Sequence, residues 1–434
     1  MNQRPERSVV THGGMRGAQQ CGRVWTDTAV TGKRFNFNRL QTLGRCLNQQ
    51  GDMWKPTIFV ALALGASSAA SSLADLALQK ILDDAKPIFG PYTRNTGNKA
   101  TWMRNYPDDT LLVHMNIPGT HDSATWNYTQ ASQDAMKGIT DLNEINVPAP
   151  EAFRCQELPL IYMLNMGIRA FDLRYAFDPT NTSLVFYHKQ ALLSETATVG
   201  DVLYGVYQWL DDHPSETVFL SLQYESSTAL HASNDAALQR LLHKTLTSPA
   251  ARQYFVQTKD KLGKLGDARG KINLLRRFDL DKLPQTYTTT LPGLHFSPSL
   301  WTDNGPGIEL VYNTAENLTA YIEDYYQPLT PMGSDAKENI QWKCNATVKH
   351  IEKATTQHPD NLFWTFASAT NTPNEPPIWP RIMALGNGTE YTAEGGVNQF
   401  LVSFLKGQQG KRVGIVMFDF FDQPAELIDT FLGL

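Results

Sequence analysis

The sequence is poor in charge, poor in cysteine and without an apolar run that could cross a bilayer, and each shortage removes a class of function. Charged residues are 19% of the 434 and the net charge is only −5. Nucleic-acid binders and disordered chains both carry strong charge bias, so no nucleic-acid partner is expected. The apolar run at residues 58–64 is far too short for a transmembrane span. With four cysteines, no Cys/His spacing suits a metal module, and neither a G-x-S-x-G elbow nor a phosphate-binding glycine loop is present. The chemistry therefore needs no cofactor. No internal repeat or low-complexity linker follows residue 73, so one domain is expected, and 41% hydrophobic residues supply its core.

The N-terminal part reads differently. Between Met53 and Ser72 a positive Lys55, the apolar run 58–64 and the small-residue run 66–72 follow the three-part order of a secretory signal peptide. A buried helix start is the alternative. Residues 1–52 precede it without hydrophobic periodicity and read as a gene-model extension or a disordered leader. Export would suit Cys155 and Cys344 as a candidate disulfide, with two buried free thiols as the alternative. It would also suit five glycosylation sequons, at Asn127, Asn181, Asn317, Asn345 and Asn387. The expected location is extracellular.

After a leading helix near 73–88 and a loop to residue 110, the main domain, 111–434, alternates strands with helices. Strands are expected at 111–116, 168–175, 183–187, 218–222, 272–275, 362–366 and 413–418. Helices are expected at 158–166, 199–212, 236–246 and 425–432. This alternation predicts an α/β fold with a parallel sheet, closed into a barrel. The section 279–360, rich in Thr, Asn, Pro and Tyr, gives no clear pattern.

The stretch N-I-P-G-T-H-D-S at 116–123 organises the rest. It empties a β-rich run into a turn that presents His121 and Asp122. A locally hydrogen-bonded Asp in a turn is the bland alternative. Further on, Asp172 and Arg174 share one strand face, His188 ends another strand and Asp419 a third; a barrel gathers such ends on one face. Asp172 and Arg174 could equally form a structural ion pair. Two imidazoles, carboxylates and a guanidinium suit acid–base chemistry at phosphorus.

The motifs I-P-G-T-H-D-S (117–123), G-I-R-A-F-D-L-R (167–174), D-H-P-S-E-T-V (212–218), R-G-K-I-N-L-L-R-R-F (269–278) and V-G-I-V-M-F-D-F (413–420) occur in a fixed order. On them the chain resembles the phosphatidylinositol-specific phospholipase C X-domain family, particularly its bacterial-type and secreted fungal single-domain members. The resemblance implies a distorted or incomplete (βα)8 TIM-type barrel that cleaves the lipid phosphodiester to diacylglycerol and a cyclic inositol phosphate. By the same resemblance His121 is the general base oriented by Asp419, and His188 is the general acid partnered by Asp122. Arg174, supported by Asp172, stabilises charge on phosphorus, and Arg277, Asp324 and Tyr326 bind the inositol ring. Arginine at position 174, where calcium-dependent members carry an acidic ligand, implies no metal.

Two departures bear on head-group recognition. Lys189 follows His188 where the bacterial pattern has glycine, and no basic residue stands near Gln223 or Tyr224. The expected partner is a phospholipid at a membrane surface, met by a monomer, and Trp102, Trp126, Trp301 and Trp379 are candidates for its rim or for the core. Two other readings are a metal-dependent glycerophosphodiester phosphodiesterase and a non-catalytic X-domain protein that binds lipid or glycan. Two retained histidines count against the second, since a binding module needs neither acid nor base.

Overall fold

Near-continuous apolar runs in short strands demand two buried surfaces, and here the inner one lines a barrel. The chain was studied as a computed structural model in which residues 71–140, 148–225, 233–388 and 395–434 are described. They fall in one unit, Ala69–Leu434; the leader 1–52 and all of the signal segment but Ser71 and Ser72 lie outside the described residues. The strands are β1 Ile117–Thr120, β2 Ala170–Phe177, β3 Leu184–His188, β4 Ala191–Leu192, β5 Thr217–Tyr224, β6 Lys271–Arg277, β7 Leu294–His295, β8 Ile308–Asn313, β9 Leu318–Glu323, β10 Leu362–Phe366 and β11 Ile415–Phe418. Their order is β7-β6-β5-β2-β1-β11-β10-β9-β8, parallel throughout except for β8 against β9. No pairing joins β7 to β8 among the described residues, so the TIM-type barrel is incomplete, as expected.

Side-chain alternation builds the interior. Ile117, Ala170, Phe219, Leu275, Ala320, Ile322, Trp364, Phe366, Ile415 and Met417 form the inner cluster. Val416, Phe418, Phe171 and Leu173 face outward into the larger cluster beneath the helices. One step further along, the same inward positions of β1, β2, β6, β9 and β11 become His121, Asp172 with Arg174, Arg277, Asp324 and Asp419. Close approach of β1 to its neighbours requires Gly119, whose place a Cβ would fill only 2.4 Å from Met417 Sδ.

Several expectations are corrected. Residues 111–116 are not a strand: Leu112–His114 is a 3-10 turn, and β1 begins at Ile117. Leu112 and Met115 instead plug the barrel floor. Asn116 breaks the run, accepting from Val413 N at 2.7 Å and donating to Lys411 O at 3.0 Å.

The leading helix, Leu73–Phe89, starts at a Ser72/Asp75 capping box. It buries Leu82, Ala85, Ile88 and Phe89 and leaves Leu73 and Leu76 exposed. Only its second half is covered, where Phe89 meets Gly205 of the helix Val199–Asp212.

β3 is not a barrel strand but an antiparallel return from β2, with Tyr175 opposite Phe186. The unreadable section holds the β8–β9 hairpin and a 21-residue helix, Ala336–Thr356. That helix buries Asn339, Lys343, Thr347 and His350 together with Ala336, Ile340, Cys344, Ile351 and Ala354, so polar side chains interrupt and mask its apolar stripe.

Cys155 and Cys344 are both buried and free, not a disulfide. Cys155 sits under the barrel mouth, its N–H donating to Thr125 Oγ1, whereas Cys344 lies on the inner face of the helix Ala336–Thr356. Arg276 is a buried structural charge, paired with Asp260 at 3.4 Å. His213 is buried too, both ring nitrogens lying 2.6 Å from the carbonyls of Trp209 and Asn95.

Two signature residues have structural work. Glu216 of the fourth-strand motif bonds Arg169 of the second motif at 2.7 Å, both fully buried, with the guanidinium against Trp209 at 4.7 Å. Arg169 also donates to four carbonyls at the barrel floor.

Candidate active site

The C-terminal ends of β1, β2, β6 and β11 and the return strand β3 bring His121, Asp122, Asp172, Arg174, His188, Arg277 and Asp419 into one mouth. His121 stands at its centre. Its Nδ1 lies 2.9 Å from Asp419 Oδ1, and its Nε2 lies 2.8 Å from Arg174 Nη2. Because a guanidinium can only donate, Nε2 accepts and Nδ1 carries the proton given to Asp419. The ring is neutral in this arrangement. Burial, then the Arg174 charge, holds the His121 pKa well below the usual range.

Arg174 is gripped by three carboxylates. Its Nε lies 3.0 Å from Asp122 Oδ1, its Nη2 3.3 Å from Asp172 Oδ2, and its Nη1 3.4 Å from Glu225 Oε2. Glu225, which ends β5, gave no motif and was missed from the sequence. Burial pushes the Asp172 carboxyl up, but Arg174 and Arg277 outweigh it and the net shift is downward. Ser221 Oγ donates to Asp172 Oδ1 at 3.3 Å, and the Asp172 backbone is locked to Ser123.

The Asp122–His188 relation differs from expectation. His188 Nδ1 lies 3.3 Å from Asp122 Oδ2 but only 2.8 Å from Phe153 O, and the carbonyl receives the hydrogen bond. Asp122 Oδ2 is also 3.5 Å from His121 Nε2, so it lies between the two imidazoles, while its tightest contact is Arg174. Burial lowers the His188 pKa to about 4, with Arg174 adding to the fall. Burial also raises Asp122 to about 7 against the pull of Arg174, and raises Asp419 well above the usual range, with Asp122 adding to the rise.

Three non-glycine residues adopt left-handed backbone at these strand ends: Asp122 (φ 40°), Lys189 (φ 49°) and Phe420 (φ 45°). Each sits at or just after a site residue and turns the chain sharply to expose it. The left-handed Lys189 also explains why the related pattern has glycine there. Two carboxamides with no sequence signal hold these turns. Gln156 donates to His121 O and Phe418 O at 2.7 and 2.9 Å, and Asn398 to Asp419 O and Gln423 O, both at 2.9 Å.

Across the mouth, Arg277 Nη1 and Nη2 each lie 3.6 Å from an oxygen, Asp172 Oδ1 and Asp324 Oδ2 respectively. Trp301 lies flat against Arg277 at 3.8 Å and donates its indole N–H to Asp324 Oδ2 at 2.7 Å. Tyr326, half-buried, instead donates its hydroxyl to Asp303 at 3.0 Å, and burial pushes its pKa to about 12.

Of the aromatic rim candidates, Trp102 is buried, whereas Trp126, Trp301 and Trp379 are half-buried. The apolar side chains that do protrude near the mouth are Leu300, Leu329 and Met332, on the loops leaving β7 and β9.

A metal would find His121, Asp122 and Cys155 with ligand atoms within 4.8 Å of one another. Arg174 already engages His121 and Asp122 there, so its charge opposes a cation at that position. All five sequon asparagines are exposed.

With this geometry in hand, known proteins were compared. The model of the family described as phosphatidylinositol-specific phospholipase C, X domain, matches residues 151–278. A 1-phosphatidylinositol phosphodiesterase of Listeria monocytogenes is 30% identical over 195 residues, which is 44% of this chain and 51% of that protein. The chain thus spans about half the length of that relative. A protein of the same name from Staphylococcus aureus is 22% identical over 272 residues, 62% of this chain and 75% of that one. The structure of a mutant phosphatidylinositol-specific phospholipase C from Staphylococcus aureus aligns over 77% of this chain and 97% of that one, with TM-score 0.57 and 18% identity. The X-domain resemblance carried by the motifs is therefore upheld, and the barrel fold with it.

Proposed function

We propose that the chain is a phosphatidylinositol-specific phospholipase C-like phosphodiesterase that cleaves phosphatidylinositol, or the inositol phosphodiester of a glycosyl anchor. The observation that carries this reading is His121 held between Asp419 at 2.9 Å and Arg174 at 2.8 Å. A neutral imidazole with its Nδ1 proton committed to a carboxylate has Nε2 as its only basic atom. In the proposed reaction Arg174 turns from Nε2 to a phosphate oxygen, which frees Nε2 to take the proton of the inositol 2-hydroxyl. That oxygen attacks phosphorus, the cyclic phosphodiester forms, and the bond to the diacylglycerol oxygen breaks.

The departing oxygen needs a proton. His188 is assigned this role, with the proton held jointly by His188 and Asp122. An arriving phosphate anion favours the charged imidazolium, as burial alone does not. Asp172 keeps Arg174 aimed while Arg174 offsets negative charge on phosphorus, so the step is assigned to protein groups without calcium. Arg277, Asp324 and Tyr326 are assigned to the ring hydroxyls.

Residues 111–434 are taken as one catalytic domain, monomeric, secreted after loss of the segment 53–72, and glycosylated at the exposed asparagines. Leu300, Leu329 and Met332 suit contact with the lipid surface that bears the substrate.

The test is the full chain on phosphatidylinositol vesicles in excess chelator, with cyclic inositol phosphate as the readout. Its release supports the reading. Activity that appears only when calcium or another divalent ion is restored would overturn the role given to Arg174.

A further inference from the structure

A lysine with both its charge and its stem fully buried demands a reason. Lys343, in the helix Ala336–Thr356, is completely buried, as is its partner Glu323, the last residue of β9. Its ammonium donates to Glu323 Oε1 at 2.6 Å and to Tyr325 O at 3.0 Å. The same carboxylate oxygen accepts from Tyr325 N at 2.9 Å, and Thr347 Oγ1 donates to Oε2 at 3.3 Å. Both backbone polar groups of Tyr325 are therefore held by one buried ion pair. The Tyr325 hydroxyl extends the hold by accepting from Leu329 N at 2.6 Å.

Strand alternation gives this pair its significance. Glu323 faces outward to the helix, while Asp324, the next residue, faces the mouth and meets Trp301 and Arg277. The pair fixes the turn at residues 323–327 from behind while Asp324 and Tyr326 project from its front. A pair of charges in an apolar setting is a poor source of stability compared with an apolar pair of similar volume, so its value lies in the geometry it imposes.

We propose that Lys343 and Glu323 are positioning residues that set Asp324, and through it Arg277, for recognition of the inositol ring. This rests on the reading that Asp324 binds the ring. Neither residue touches substrate, and their loss is expected to weaken ring binding while leaving the acid–base step intact.

The test compares the full chain with three variants, measuring kcat, KM, the competitive inhibition constant of free myo-inositol and the melting temperature. Asp324→Asn should raise the inhibition constant about tenfold, the scale of one hydrogen bond to a charged group. The double variant Glu323→Leu with Lys343→Met removes both charges together, which protects folding, and should raise the inhibition constant and KM about as much, with kcat within about threefold. Glu323→Gln keeps an acceptor for Tyr325 N and for Lys343 and should stay within about threefold of the parent in the three kinetic and binding constants, at a lower melting temperature because the Lys343 charge loses its partner. An unchanged inhibition constant in the double variant, with or without a lower melting temperature, overturns the proposal. An unchanged constant in Asp324→Asn overturns it as well, and the ring-binding reading with it.

Discussion

The two sides of the barrel mouth hold their functional groups by opposite means. On the His121 side, β1, β2 and β11 are neighbours, and the groups meet directly: imidazole to carboxylate at 2.9 Å, guanidinium to imidazole at 2.8 Å. Left-handed residues just after β1 and β11, Asp122 and Phe420, aim them. On the Asp324 side the ion pairs are longer, 3.6 Å from Arg277 to either carboxylate, and the positioning falls to Trp301, which stacks on Arg277 and bonds Asp324 at 2.7 Å, and to a buried ion pair behind the strand. The contrast teaches that groups assigned to proton transfer are fixed by contact with one another. Groups assigned to recognition are fixed from outside, with room between them for a ligand.

That comparison predicts different kinetic signatures, the largest first. His121→Ala or His188→Ala should lower kcat by ~10²–10⁴-fold on phosphatidylinositol vesicles, the usual contribution of a positioned acid or base. Asp324→Asn should act chiefly on KM. A comparable loss of kcat in Asp324→Asn would erase the division between the two sides.

The pH dependence sharpens the same division. With His121 well below its ordinary value and Asp122 near 7, kcat/KM should fall above about pH 7 as the Asp122–His188 pair loses its shared proton. Asp122→Asn should abolish that alkaline limb, while Asp324→Asn should leave it in place. An unaltered limb in Asp122→Asn would detach the proton from this pair. Stability follows with opposite signs. Asp122, raised by burial, contributes stability that is full below its ordinary value near 4 and lost as pH rises through about 7. His188, depressed to about 4, contributes stability that is full above about 6.5 and lost as pH falls through about 4. Melting temperatures of Asp122→Asn and His188→Gln against pH should therefore diverge from the parent in opposite windows.

Legibility in the sequence followed the same line. The His121 side was readable because its groups sit on apolar strands at alternating positions, so 172 with 174 and 417 with 419 declared their face. It failed where a side chain reached in from a loop, as with Gln156, or from the first turn of the helix Val397–Lys406, as with Asn398, or stood at a strand's end outside any motif, as with Glu225. The Asp324 side was unreadable because the buried face of its supporting helix interleaves Asn339, Lys343, Thr347 and His350 with Ala336, Ile340, Cys344 and Ile351, which dilutes the apolar period. Position 189 carried a signal of another kind: a lysine where the related pattern has glycine marks a backbone demand that no periodicity reveals.

Lys189 provides the smallest and most local test. Its φ of 49° is a conformation that costs a non-glycine residue about 1–2 kcal/mol. Glycine removes that cost but makes the unfolded chain more flexible, which takes back about 0.5–1 kcal/mol. Lys189→Gly should therefore be neutral to stabilising by up to about 1.5 kcal/mol in chemical denaturation, the difference of those two figures. On the Asp324 side, Tyr325 and Tyr326 have no left-handed backbone, so glycine at 325 should only destabilise. Destabilisation by Lys189→Gly as well would mean that the lysine side chain, and not the turn, holds His188 in place, and the strained turns would lose their part in aiming the reactive groups.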